Sequence, residues 1–356
     1  MYDTGEYDVH LDIPTDNYVV RNLYPVHLES VVDYVKQIPV RDKNTLIILL
    51  GAFQCIQERD FWIIPLDNFC KSISNPVIVF TGKLIDDSEY QLPQINFAYC
   101  RIGMFDLVSN LHWNRRIENQ SRDWQEDCYN KRKYKFYWAS SKDWYTRRYI
   151  LAGLINNQLL DSGLVNYKCV HTDIPGPWIQ HHIESTWAAH IDQECYSIAD
   201  KIPLPAIDNT IEFTQTDVNF YLDSYLGIVI DTFFDNGVFV SEKVFNAMNY
   251  QQLFFYVGYQ GTLRYLREQG YQTFDDIIDT SYDSIVDPGA RLVAARKSLL
   301  DFLNQPIDAI AVAYEKSQPA IKHNKQLVQQ QRPDIQFTQN IQDYLNEHRK
   351  TTTDIS

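Results

Sequence analysis

The sequence predicts an α/β fold of two halves, each with a parallel sheet, followed by a helical tail. Two observations point there. Continuous apolar runs end in glycine or a turn, as strands buried on both faces do. These runs alternate with amphipathic stretches, and the alternation stops once and then restarts. The stop falls in a polar, tryptophan-bearing segment, residues 114–135. A length of 356 residues also fits two domains of ordinary size.

The elements follow in order. An acidic arm opens the chain, and His27 to Gln37 carries apolar residues at helical spacing. Thr45 to Gly51 and Pro76 to Gly82 read as buried strands, with Pro65 to Ser74 as a short helix between them. Ile95 to Ile102 is a third strand. After the polar segment, Lys135 to Ala139 reads as a strand and Tyr145 to Leu160 as a helix. That helix gathers Ile150, Leu151, Leu154, Ile155 and Leu159 on one face. Val165 to Val170 is the next strand, and His171 to Pro205 a long loop with some helix. Phe220 to Ile230 reads as a strand, Glu242 to Tyr250 as a helix, Leu253 to Val257 as a strand and Thr262 to Gln269 as a helix. Pro288 to Leu303 is a helix opened by its proline. The last fifty residues are Gln-rich and helix-prone, with fraying after Thr351. The domains expected are residues 1–130, residues 131–305 and a helical tail over residues 306–356.

Composition narrows the class. Charged residues number 32 basic and 46 acidic, a net charge of −14. Such a surface repels polyanions at long range, which argues against coating nucleic acid. No two of the cysteines at 55, 70, 100, 128, 169 and 195 sit two or three apart, so no zinc ribbon or redox pair is written here. His181, His182, Glu184 and His190 lack the one-turn spacing of a zinc helix. Met1 to Tyr18 holds five acids and no Lys or Arg, unlike a secretory leader, and no apolar run is long enough to span a bilayer. The expectation is a cytoplasmic protein without a membrane span.

The chemistry concentrates after the apolar run that ends at Ile230. Ser241 is a suitable N-cap, which puts Glu242 and Lys243 in the first helical turn. A lysine there opposes the helix dipole unless an anion joins it. Backbone N–H groups and the ammonium then converge on a phosphate, with Glu242 free to accept from sugar hydroxyls. The alternative is an exposed Glu-Lys pair on an ordinary helix start. Residues 114–148 carry ten Lys/Arg against five Asp/Glu, a local surplus that ends at Arg147 and Arg148. These two open a helix after a strand, where a diphosphate can be gripped. The alternative for the run is a solvated basic linker.

The stretch from Val229 to Asp283 resembles the donor-binding half of a family of viral and bacterial glycosyltransferase-like proteins, distantly similar to fucosyltransferases. The residues that carry the resemblance are Asp231-Thr232, Ser241-Glu242-Lys243, Leu253 to Gly258, Gly261-Thr-Leu-Arg-Tyr-Leu, Gly270-Tyr-Gln-Thr-Phe274 and Asp279-Thr-Ser-Tyr-Asp283. Arg291 and Arg296 follow on a helix, as in the family. Asp231 stands where the family has Glu, and Ser241 where it has Thr. The resemblance implies two facing Rossmann-like domains, the GT-B architecture. It implies a nucleotide-sugar donor held by Arg147, Arg148, Asp231, Ser241, Glu242 and Lys243.

In that reading the cations meet the charge of the leaving diphosphate, and no metal is expected, since no Asp-x-Asp motif occurs. The acceptor hydroxyl needs a general base, for which Glu58, Asp60 and Asp106 are the candidates in the first half. The acceptor is a glycan, a lipid-linked sugar or a nucleic acid. Two alternatives accompany this reading. One is a transferase acting on modified DNA bases. The other is a catalytically silent relative that kept the fold, a binding or virion-associated protein, to which the shortened Asp231 points. A viral origin would place the protein in the host cytoplasm.

Overall fold

In a computed structural model of the chain, residues 18–22, 46–50, 77–80, 98–100, 131–140, 145–167, 218–231, 234, 238 and 240–330 are described. The chain divides into two compact units, residues 1–115 with 332–356, and residues 116–331.

The first unit holds a parallel sheet of β1 (Tyr18–Asn22), β2 (Leu46–Leu50), β3 (Val77–Phe80) and β4 (Ala98–Cys100), in that spatial order. The three expected strands of this half are present, with trimmed ends. Register pairs Ile47 with Val77 and Ile78 with Ala98, so the apolar runs line up across the sheet. β1 was not anticipated. It occupies sequence read as the acidic arm, and its Tyr-Val-Val-Arg-Asn is a short edge strand with little apolar signal. The expected helices His27–Gln37 and Pro65–Ser74 lie outside the described residues.

The second unit is built on β5 (Tyr134–Ser140), β6 (Gly163–Tyr167), β7 (Ser224–Ile230) and β8 (Leu253–Val257), all parallel, in the order β6-β5-β7-β8. β7 and β8 are buried at every position, which explains their unbroken apolar sequence. Helix α1 (Tyr145–Asn156) links β5 to β6. A short α2 (Val218–Leu222) precedes β7. Helix α3 (Glu242–Asn249) links β7 to β8, and α4 (Thr262–Glu268) follows β8. Then come α5 (Pro288–Leu303), α6 (Ile307–Lys316) and α7 (Gln318–Gln330).

The expected strand Phe220–Ile230 is corrected at its start, where Phe220 and Tyr221 belong to α2. Local bonding explains the difference. The Ser224 hydroxyl donates to the Phe220 carbonyl at 2.7 Å, a turn of helix closed by its own side chain.

Two buried side chains tie the last helices to the rest of this unit. The guanidinium of Arg132 is 3% exposed and donates to the carbonyls of Tyr221 (2.6 Å), Ser224 (2.6 Å) and Gln251 (2.9 Å) and to the Tyr314 hydroxyl of α6 (2.7 Å). Asn324 of α7 pairs with the backbone of Gln272, accepting from its N–H at 2.7 Å and donating to its carbonyl at 2.8 Å. The basic run thus splits. Lys131 and Lys133 are exposed and pair with Asp308 and Asp223, while Arg132 is interior.

Candidate functional site

Strand order places the site. β5 and β7 are adjacent and parallel, with Trp138 opposite Ile228, so their carboxyl ends lie side by side. From this pair the chain winds outward in both directions, β5 to β6 and β7 to β8. A crevice opens at such a reversal, and α/β sheets bind ligands there. Both connecting helices start at this edge.

Arg147, in the first turn of α1, is 3% exposed and donates from Nη2 to the carbonyl of Ile230 at 3.2 Å. It therefore bridges the start of α1 to the end of β7. Arg148 beside it is half-buried. Asp231 continues β7 and is buried. Its N–H donates to the Val257 carbonyl at 2.9 Å, and its Oδ2 accepts from the Tyr256 hydroxyl. A Cβ at Gly258 would sit 2.8 Å from the Tyr256 ring and 3.3 Å from that carboxylate oxygen, so the chain passes here only as glycine.

Ser241 adopts the extended conformation of an N-cap, φ −87° and ψ 157°, yet its side chain makes no cap bond. Its hydroxyl is buried, and Oγ has no hydrogen-bond partner among the described residues. An unpaired buried hydroxyl costs about 1–3 kcal/mol, which a bound acceptor would offset. Glu242 is the first residue of α3, and Lys243 follows half-buried. The residues from Val244 to Asn249 are all buried, so the helix is held firmly behind its N-terminus.

The start of α4 contrasts with this. Gly258-Tyr-Gln-Gly261 ahead of a helix has the look of a phosphate loop, and Gly261 takes the left-handed conformation at φ 79°. The seat is filled from within the chain. Asp283 accepts from the N–H groups of Leu263 (3.0 Å) and Arg264 (3.1 Å), and its carbonyl accepts from Gly261 N–H at 2.8 Å. The Asp279-Thr-Ser-Tyr-Asp283 motif thereby acquires a structural meaning. Asp279 caps the Ser281 N–H at 2.9 Å, the Tyr282 hydroxyl donates to the Tyr256 carbonyl at 2.9 Å, and Asp283 closes α4. A groove of about 260 Å³ beside Asp283 is lined by Gln260, Arg264, Arg267 and Ser284, and several of its polar groups bond locally.

Burial holds the Asp283 carboxyl above the usual carboxylate range, with the Leu263 and Arg264 N–H groups pulling it down. A folded-state value above the unfolded one means that the native state binds the proton more tightly. The contribution is fully present below the unfolded value and is lost as pH rises through the folded one. Wild type should therefore gain stability relative to Asp283→Ala as the pH falls from about 7 to about 4. Urea denaturation at each pH measures this, and a flat difference would remove the assignment.

The second unit thus brings Arg147, Arg148, Asp231, Ser241, Glu242 and Lys243 to one edge of one sheet. Glu58, Asp60 and Asp106 lie outside the described residues, as do His181, His182, Glu184 and His190. Among the described residues, no group of three or more His, Cys, Asp or Glu is gathered as a metal site. No described helix is long and apolar enough to cross a membrane. Sequence reasoning left Asp283 without a role of its own, because the N–H groups it accepts from lie some twenty residues earlier in the chain.

No family model and no curated protein matches the chain. Among solved structures, it is similar to α,α-trehalose 6-phosphate synthase from Burkholderia multivorans. The identity is 12%, the match covers 90% of this chain and 76% of that one, and the TM-score is 0.46.

Proposed function

We propose that the chain is a metal-independent glycosyltransferase of the GT-B kind, taking a nucleotide-sugar whose diphosphate sits on the N-terminus of α3. The observation that carries the anion seat is the Ser241 hydroxyl, buried and without a hydrogen-bond partner among the described residues, at a helix start that bears a lysine. The reaction class comes from the sequence resemblance.

In the transfer, the bond between the sugar anomeric carbon and the diphosphate oxygen breaks. The acceptor oxygen bonds to that carbon and gives its proton to a general base, for which Glu58, Asp60 and Asp106 are the candidates. Charge grows on the departing diphosphate. The N–H groups of α3, the Ser241 hydroxyl, Lys243 and Arg148 meet it. Arg147, bonded to the Ile230 carbonyl, holds the strand end in place. The acceptor is a glycan, a lipid-linked sugar or a nucleic-acid base.

A second reading is favoured by Asp231. Its carboxylate is buried and accepts from Tyr256, so a ribose contact there would require that pair to open. A chain that keeps the anion seat without turnover is then a binding protein.

Calorimetric titration with nucleoside diphosphates, alongside a nucleotide-sugar turnover assay, tests both. Lys243→Ala should weaken diphosphate binding by roughly tenfold or more, the worth of one charge-assisted bond. Ser241→Ala should weaken it roughly fivefold. It should not lower the melting temperature, because no cap bond is lost and an unpaired buried hydroxyl is removed. Binding without turnover selects the binder, and no binding to wild type retires both readings.

A further inference from the structure

Arg291 lies in the first turn of α5, is 1% exposed, and reaches three separate connections. Its Nη2 donates to the Phe234 carbonyl at 2.6 Å, and its Nε to the Gly258 carbonyl at 3.2 Å. Its Nη1 donates to the carbonyls of Ile285 (2.8 Å) and Val286 (3.1 Å). The guanidinium carbon also stands 4.4 Å above the Phe234 ring. Phe234 belongs to the connection after β7, Gly258 to the one after β8, and Ile285 and Val286 to the approach to α5. A cation this close to a helix N-terminus opposes the dipole, and the surrounding carbonyls compensate.

The connection that Arg291 holds at Phe234 is the one that delivers Ser241 to the start of α3. We propose that Arg291 is a positioning residue for the anion seat at α3: it touches no ligand, but fixes the chain that aims the Ser241 hydroxyl and Lys243. The inference rests on the anion seat of the proposed function and adds a residue that the sequence reading left without a role. Lysine cannot replace it, because a single ammonium lacks the planar fork that reaches three connections at once.

The test uses the full chain with Arg291→Lys and with the milder Phe234→Leu, which keeps the carbonyl and removes the ring. Arg296→Met is the control. Arg296 sits on the same helix, 3.6 Å over the Tyr149 ring, and serves packing between α5 and α1. Inorganic pyrophosphate and a nucleoside diphosphate are titrated by calorimetry, and amide exchange is followed over residues 231–241.

Arg291→Lys should raise the pyrophosphate dissociation constant roughly tenfold and speed exchange in that segment, while β7 and α5 stay protected. Phe234→Leu should raise it roughly threefold. Arg296→Met should lower the melting temperature without moving either readout. If Arg291→Lys does not fold, Phe234→Leu decides. Wild-type affinity in the Arg291→Lys or Phe234→Leu variant, with wild type binding, overturns the positioning role alone. Failure of wild type to bind pyrophosphate and the nucleoside diphosphate overturns the anion seat itself, and this role with it.

Discussion

Replacing Arg132 by methionine should lower the stability of the second unit by roughly 3–5 kcal/mol, the cost of breaking a buried charged network. The guanidinium is the donor for three carbonyls and one hydroxyl that no water reaches easily. Methionine fills similar volume but donates nothing, so the carbonyls of Tyr221 and Ser224 lose a strong donor in the interior. The Ser224 and Gln251 carbonyls each keep one, because the Gln252 side-chain amide donates to the first at 3.1 Å and the Tyr314 hydroxyl to the second at 2.9 Å. For a unit of this size the loss corresponds to a melting-temperature drop of roughly 6–20 °C. Calorimetry on wild type, Arg132→Met, Lys131→Ala and Lys133→Ala checks it. The two flanking lysines are 71% and 69% exposed, and their removal should leave the transition in place. An Arg132→Met protein that melts with wild type would show that the network contributes nothing.

A methyl group at residue 163 should be nearly as damaging. Gly163 opens β6 opposite Phe136, and a Cβ there would lie 2.3–2.6 Å from three atoms of the Phe136 ring. The backbone at Gly163, φ −135° and ψ 173°, suits any residue, so the penalty is steric rather than conformational. Phe136 is wholly buried and has no room to retreat. Gly163→Ala should cost about 3 kcal/mol, the upper range for overpacking. The same substitution in a Phe136→Leu background should cost much less, because the two side chains compete for one space. Urea midpoints of the four proteins measure the coupling, and additive effects would contradict the contact.

Strands β7 and β8 were legible because burial at every position leaves few polar residues. Leu226 to Ile230 and Leu253 to Val257 could hardly be anything else. Terminal and short elements were not. β1 mixes Arg and Asn into five residues, and α2 is a single turn closed by Ser224. In the candidate site, Ser241 does stand at the N-cap position expected of it, but its side chain makes no cap bond, and the placement of Ser241 and Lys243 at a sheet edge follows from strand order. The roles of Asp283, Arg132 and Arg291 were not legible, because each is defined by partners remote in sequence. Arg132 reads as one of three surface cations, and only the fold shows that the middle one turns inward.

That inward turn has a consequence for synthesis. Arg132 meets Tyr314 across 182 positions of chain. As the polypeptide leaves the ribosome, β5, one of the sheet's two central strands, is made early in this unit, while a hydroxyl that shares its neighbouring arginine arrives late in it. Until α6 emerges, that arginine lacks one of its acceptors, so the nascent unit should fold late and as a whole rather than strand by strand.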